Sequence, residues 1–131
     1  MSNYTIAKVS LKHIDRSLLE KVLEKIASKI GARFVKENAI VKYFGGEKKV
    51  DYLLEKCLPF GNGYGIIVNR NDLEIHADIH GADIDINELK NMVTREYLTN
   101  LFVKMFSQKG TISVSEEKDK TIIYVYSYGE T

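Results

Sequence analysis

The first regular pattern along the chain has a period of two. Over residues 3–12, Thr5, Ala7, Val9 and Leu11 lie on one side, and Tyr4, Ile6, Lys8, Ser10 and Lys12 on the other. That alternation predicts a half-buried strand. The period then becomes helical. Leu18, Leu19, Val22, Leu23, Ile26 and Ile30 form one stripe. Asp15 stands where a side chain accepts the free N–H groups of a helix start, and Gly31 suits a left-handed helix end. Residues 33–36 and 40–44 read as a hairpin-like pair around Glu37-Asn38, with Gly45-Gly46 as a turn. Residues 50–57 are apolar enough for a strand, with a short helix as the alternative. Pro59, Gly61, Asn62 and Gly63 predict a turn. Residues 65–69 and 73–80 then form a strand pair across Asn71-Asp72.

In the second of those strands Leu73, Ile75, Ala77 and Ile79 face the core, while Glu74, His76, Asp78 and His80 share the other face. Asp85 and Glu88 make a box-like start for the longest helix. Its main stripe is Leu89, Met92, Val93, Tyr97, Leu101 and Met105, widened by Leu98, Phe102, Val103 and Phe106, and Gly110 is expected to close it. Residues 111–116 and 121–127 read as two strands joined through Lys118-Asp119-Lys120. The order is β-α-β-β-β-β-β-α-β-β in a single domain over residues 1–131. Short links favour a mostly antiparallel sheet with two helices on one face, an α+β fold.

Two helices cover one sheet face and leave the other wet, curled or covered by a partner. Lys8, Ser10, Glu74, His76, Asp78, Ser113 and Ser115 suit a wet face. The last strand departs from this, since Tyr124, Tyr126 and Tyr128 share a side with Ile122, and Ile123 and Val125 share the other. Tyrosine is apolar in body and polar at its tip, which suits an interface. With Phe102 and Phe106 on the long helix, these residues mark a candidate surface for self-association or another protein. Stacking on nucleic-acid bases is the alternative use.

At 131 residues, about two-thirds of the unfolded surface is buried on folding, so neither disulfide nor metal is required for a core. The lone Cys57 cannot form an internal disulfide, and with no secretory leader it points to a reducing cytoplasm. No apolar run reaches the roughly 20 residues that span a bilayer. Net charge is +1, but residues 1–60 carry 12 Lys/Arg against 7 Asp/Glu, and residues 61–131 carry 7 against 11. The halves are +5 and −4 by subtraction, which fits internal pairing or two opposed patches.

Three clusters offer chemistry. Lys21, Lys25 and Lys29 form a row on the first helix, diluted by Glu20 and Glu24. Lys42, Tyr43, Lys48 and Lys49 flank Gly45-Gly46 and suit a base and a phosphate, or an ordinary charged hairpin tip; no P-loop spacing is present. His76, Asp78 and His80 point one way, as metal ligands must. At about 3.3 Å per residue, however, the two histidines stand about 13 Å apart on a flat strand. Each adjacent pair supplies two ligands for a divalent metal, leaving Glu74, Asp83 or Asp85 to complete the set. Asp78 orienting a histidine for acid–base work is a further reading, and a solvated strand face is the plain one. His13 reads as a loop residue.

The layout resembles that of an uncharacterised family of small proteins, the "hypothetical chloroplast protein" type also found in cyanobacteria and other prokaryotes. The pieces that carry the resemblance are Ser2-Asn3-Tyr4-Thr5-Ile6, Ala77-Asp78, Thr94-Arg95-Glu96-Tyr97, Gln108-Lys109-Gly110 and the two closing strands. His76, His80 and the acidic turn Asp83-Ile84-Asp85 have no counterpart in that pattern, which counts against a family-wide metal site. The resemblance implies a small intracellular accessory protein more than an enzyme. The leading expectation is therefore a non-enzymatic protein-interaction domain that self-associates. A metal-binding protein or metal-dependent enzyme and a nucleic-acid-associated domain stand as alternatives.

Overall fold

Both helices begin where the sequence places them. The computed structural model describes residues 2–107, 109–117 and 120–127. Helix α1 spans Arg16–Ile30, capped by Asp15, whose carboxylate accepts the Leu18 N–H, and closed by Gly31 at φ 72°. Helix α2 spans Ile86–Phe106 under an Asp85 cap that accepts the Asn87 N–H. Gly110 does not close α2. Ser107 ends the helix in right-handed conformation, and Gly110 already opens a strand. Tyr97 Oη accepts the Asp15 N–H at 3.0 Å, and Lys104 Nζ donates to Asp15 Oδ2 at 2.7 Å. The start of α1 is thereby tied to the middle of α2.

The strands are β1 (Tyr4–Ser10), β2 (Arg33–Val35), β3 (Ile40–Tyr43), β4 (Gly46–Lys49), β5 (Tyr52–Leu58), β6 (Gly61–Val68), β7 (Asp72–Asp78), β8 (Gly110–Glu116) and β9 (Thr121–Ser127). Five of them form an antiparallel sheet in the order β1-β7-β6-β5-β2, while β3-β4 and β8-β9 are separate two-stranded ribbons. The α+β class and the antiparallel pairing agree with the sequence reading, with one strand more than expected. The extra strand is β4, in what read as a turn and charged tip. Residues 33–36 and 40–44 do not pair with each other: Phe34 lies opposite Leu54 in β5, and Val41 lies opposite Lys48 in β4. Gly61–Gly63 is not the turn either, because the chain reverses at Pro59-Phe60. Gly63 sits in β6 at φ 136°, beside the register shift between Glu55 and Leu58. A Cβ there would stand 2.1 Å from the Leu54 carbonyl oxygen, so only glycine fits.

One face of the main sheet carries the larger core. Ala7 and Val9 of β1, Leu73, Ile75 and Ala77 of β7, Tyr64 and Ile66 of β6, and Leu54 of β5 meet the α1 stripe and Ile86, Leu89, Val93 and Tyr97 of α2. The other face is wet as alternation implied at Lys8 and Ser10, which are exposed, but not at His76 and Asp78, which are buried. The β3-β4 ribbon lies across it, and Ala39, Val41, Val50 and Leu53 form a second buried cluster with Val35 and Ile67 at its edge. Gly65 makes this approach possible, since a Cβ on it would come within 2.9 Å of both Val41 Cβ and Val50 Cγ1. Asn62 anchors the ribbon by donating to the Ile40 carbonyl at 2.9 Å and accepting the Lys42 N–H at 2.7 Å. Ser113 and Ser115, expected on the same sheet, belong to the β8-β9 ribbon.

Candidate functional site: a sealed histidine relay and an open apolar ribbon

Covering the second face changes what His76 and Asp78 can do. His76 retains 2% of its accessible surface and Asp78 none. Tyr4 lies across from Asp78 in the β1-β7 register, with Ile6 opposite His76, so Tyr4 reaches His76 diagonally. The Tyr4 hydroxyl bonds His76 Nδ1, and His76 Nε2 meets Glu74 Oε1 at 2.7 Å. Asn69 Nδ2 donates to Glu74 Oε2 at 2.6 Å. The order is phenol, imidazole, carboxylate. With Nε2–H donating to Glu74, the Nδ1 lone pair accepts the Tyr4 O–H.

This relay has the connectivity of a general-base device but not its tuning. Burial, followed by the neighbouring Tyr43 and Glu74, raises the Tyr4 phenol above its ordinary value of 10.0, whereas a base or nucleophile is activated by the opposite shift. The Tyr43 ring lies 4.2 Å from that of Tyr4, centroid to centroid. Five surface grooves of about 300 to 640 Å³ are lined by residues other than Tyr4, His76 and Glu74. The hydrogen bond from His76 pulls the Glu74 carboxyl below its usual range, with Asn69 adding to it against the effect of burial. These groups lock β1 onto β7.

Asp78 is a second lock. Its Oδ1 accepts the Asn3 N–H at 2.7 Å and the His80 N–H at 3.3 Å, and Oδ2 accepts the Phe44 N–H at 3.4 Å. A single buried carboxylate thus joins the chain start, the β3-β4 turn and the end of β7 through backbone donors. His80 is exposed and packs at 5.2 Å on the Phe60 ring, centroid to centroid. The set His76, Asp78 and His80 therefore does not converge as a divalent-metal site. Both nitrogens of the first are taken, the second is engaged by amides, and the third turns to Phe60. Among the described residues no group of three or more His, Cys, Asp or Glu side chains is arranged to hold a metal ion.

The cations of the nucleic-acid reading lie on an exposed ribbon. Lys42, Lys48 and Lys49 are solvent-facing with Glu47 among them, and Tyr43 is half-buried against Tyr4. Charged side chains on a short edge strand also guard it against unwanted pairing. Lys25 and Lys29 turn onto the buried Glu96, and Lys56 reaches Asp83 at 3.1 Å. Part of the opposed charge of the two halves is thus spent inside the molecule.

The surface that stays open is apolar. Leu89, Val93 and Tyr97 of α2 are buried, but Leu98, Phe102 and Met105 stand 37%, 44% and 56% exposed. Met105, expected in the core stripe, therefore lies outside it. Phe106 is half-buried and stacks on Phe102 with ring centroids 6.0 Å apart. The β8-β9 ribbon lies beside this end of α2 and exposes Val114, Tyr124, Val125 and Tyr126. Tyr124 and Tyr126 stack with centroids 6.4 Å apart, and Tyr128 lies outside the described residues. Between α2 and β9 a groove of about 400 Å³ is lined by Thr94, Leu98, Phe102, Thr121 and Ile123.

No family model, no curated protein and no solved structure matches this chain. No helix among the described residues is long and apolar enough to cross a membrane.

Proposed function

We propose that this protein is a non-catalytic interaction domain, working in the cytoplasm, whose contact surface is the outer half of α2 together with the β8-β9 ribbon. The observation that supports this reading is the number of exposed apolar residues there: Leu98, Phe102 and Met105 on α2, Tyr124 and Tyr126 on the outer face of the ribbon, and Val114 and Val125 on its helix-facing side. A patch of this kind is characteristic of a protein contact, and aromatic and methionine side chains are enriched in such contacts. The polar groups elsewhere favour the same reading, because His76, Glu74 and Asp78 are engaged in holding the sheet. The resemblance to the small accessory family points the same way.

The test is site-specific photo-crosslinking in cells. A photoreactive phenylalanine at position 102 or 126 is expected to give a discrete protein adduct, whether with another copy or with a different protein. The same group at Lys48 is expected to give none. Absence of any adduct from both 102 and 126 would remove the proposal.

A further inference from the structure

The open ribbon has two edges, and they differ in chemistry. Along the β8 side the space beneath the ribbon is charged, lined by Lys29, Glu88, Arg95, Glu96 and Glu116. Along the β9 side the groove is lined by Leu98, Phe102 and Ile123 together with Arg95 and Lys120, and carries no carboxylate. The strand itself, Thr-Ile-Ile-Tyr-Val-Tyr-Ser, has no charge, proline or glycine over seven residues, and β8 is its only partner among the described residues. Sheet edges that stay single are guarded by lysine, proline or a bulge, as β4 is with Glu47-Lys48-Lys49. Strand β9 lacks every one of these devices.

The order of residues along β9 also suits a copy of itself. In an antiparallel pair with a two-fold axis at Tyr124, Ile122 falls opposite Tyr126 on the outer face and Ile123 opposite Val125 on the helix-facing side. Each is a β-branched residue against an aromatic or another β-branched one, the pairs that stabilise antiparallel strands. The arrangement is isologous, one patch meeting itself. It would convert a two-stranded ribbon, marginal by itself, into the four-stranded sheet β8-β9-β9-β8 with both α2 helices on one side. The groove beside Leu98 and Phe102 would then be closed by the same residues of the second copy.

We infer that a second copy of this chain is the occupant, joined by antiparallel β9-to-β9 pairing centred on Tyr124. This rests on the interaction reading above and makes it specific.

Two measurements test it on the full chain. Sedimentation equilibrium from micromolar to millimolar protein is expected to show a species of twice the 14.9 kDa chain mass. Tyr124→Lys, which sets like charges opposite each other at the axis, is expected to abolish it, while Tyr124→Val keeps it. In a Cys57→Ser background, Tyr124→Cys is expected to oxidise to a disulfide dimer, since directly opposed Cα atoms stand about 4.5–5.5 Å apart and a disulfide spans about 4.4–6.8 Å. Ile122→Cys alone is expected to stay unlinked, and the Ile122→Cys/Tyr126→Cys pair to link. All these sites are at least partly accessible, so circular dichroism of each variant should match that of the parent. A monomer at every concentration, with no disulfide formed by the Tyr124→Cys variant, overturns the inference. If photo-crosslinking at 102 or 126 then still captures a different protein, the interaction reading survives. A dimer that links through position 102 but not 124 overturns β9 pairing alone.

Discussion

Gly65→Ala probes the packing of the β3-β4 ribbon over the second sheet face. The backbone at Gly65 is not in the left-handed region, so strain plays no part and the effect is one of space. The added methyl carbon would meet Val41 Cβ and Val50 Cγ1 at 2.9 Å and Val41 Cγ1 at 3.1 Å. Carbon atoms pack at about 3.5–4.0 Å, so the ribbon must retreat by about 0.6 Å or more. Overpacking of this kind costs about 1–3 kcal/mol. Replacing glycine narrows the unfolded ensemble and returns about 0.4–1 kcal/mol. The expected net loss is about 1–2 kcal/mol, read as a lower midpoint in urea with an unchanged slope. Amide exchange should quicken in β3 and β4 before it does in β7. Val41→Gly removes the two Val41 contacts and leaves the one to Val50 Cγ1, so the double variant should be more stable than the sum of the single effects by about 0.5–1 kcal/mol. A neutral Gly65→Ala, or strictly additive effects, would refute close packing of ribbon on sheet.

Three further predictions concern the buried polar groups. Glu74 is held below its ordinary value of 4.5 mainly by the His76 hydrogen bond, so its contribution to stability is full above that pH and is lost as pH falls through the folded value; melting temperatures measured across acid pH should show Glu74→Gln below the parent at neutral pH, with the gap closing in acid, and a gap independent of pH would refute this. Asp78→Asn keeps the size but leaves one of the amides from Asn3, His80 and Phe44 facing an NH2 group, which should lower stability by about 1–3 kcal/mol in denaturant unfolding; an unchanged midpoint would show that the carboxylate is not the clasp. Burial, followed by the nearby Asp83 charge, pushes the Tyr64 phenol up from 10.0 to about 12, and its hydroxyl donates to the Ile84 carbonyl. Stability from keeping it neutral is therefore full below pH 10 and lost as pH rises toward about 12, and an ultraviolet titration should lose this late-ionising phenol in Tyr64→Phe.

The elements legible in the chain are those set by short-range physics. Asp15 and Asp85 satisfy helix N–H groups within three residues, and Gly31 turns left-handed at its own φ, so both helix starts and one helix end follow from local sequence. The alternation in β1 and β7 placed Ala7, Val9, Leu73, Ile75 and Ala77 in the core, where they lie. In β9, alternation separated Tyr124 and Tyr126 from Ile123 and Val125. Those signals repeat every two or nearly four residues and need no knowledge of the partner.

What alternation cannot encode is what lies opposite. His76 and Asp78 read as solvent-facing because polar residues usually are, yet a ribbon some thirty residues earlier in the chain covers them, and Tyr4 and backbone amides replace their water. That ribbon sits where it does because Gly65 has no side chain and Asn62 offers both a donor and an acceptor, facts with meaning only once β3 is beside β6. The same limit applies to α2. Its periodicity shows which residues share a face, but that Tyr97 is buried and Met105 exposed depends on what packs against each turn. The sequence by itself determined the helices, most of the strands and which side of each is apolar. Tertiary structure alone decided that His76 is sealed and that the open surface is the far end of α2 with β9, because burial is a property of two surfaces that meet and each segment of sequence describes one.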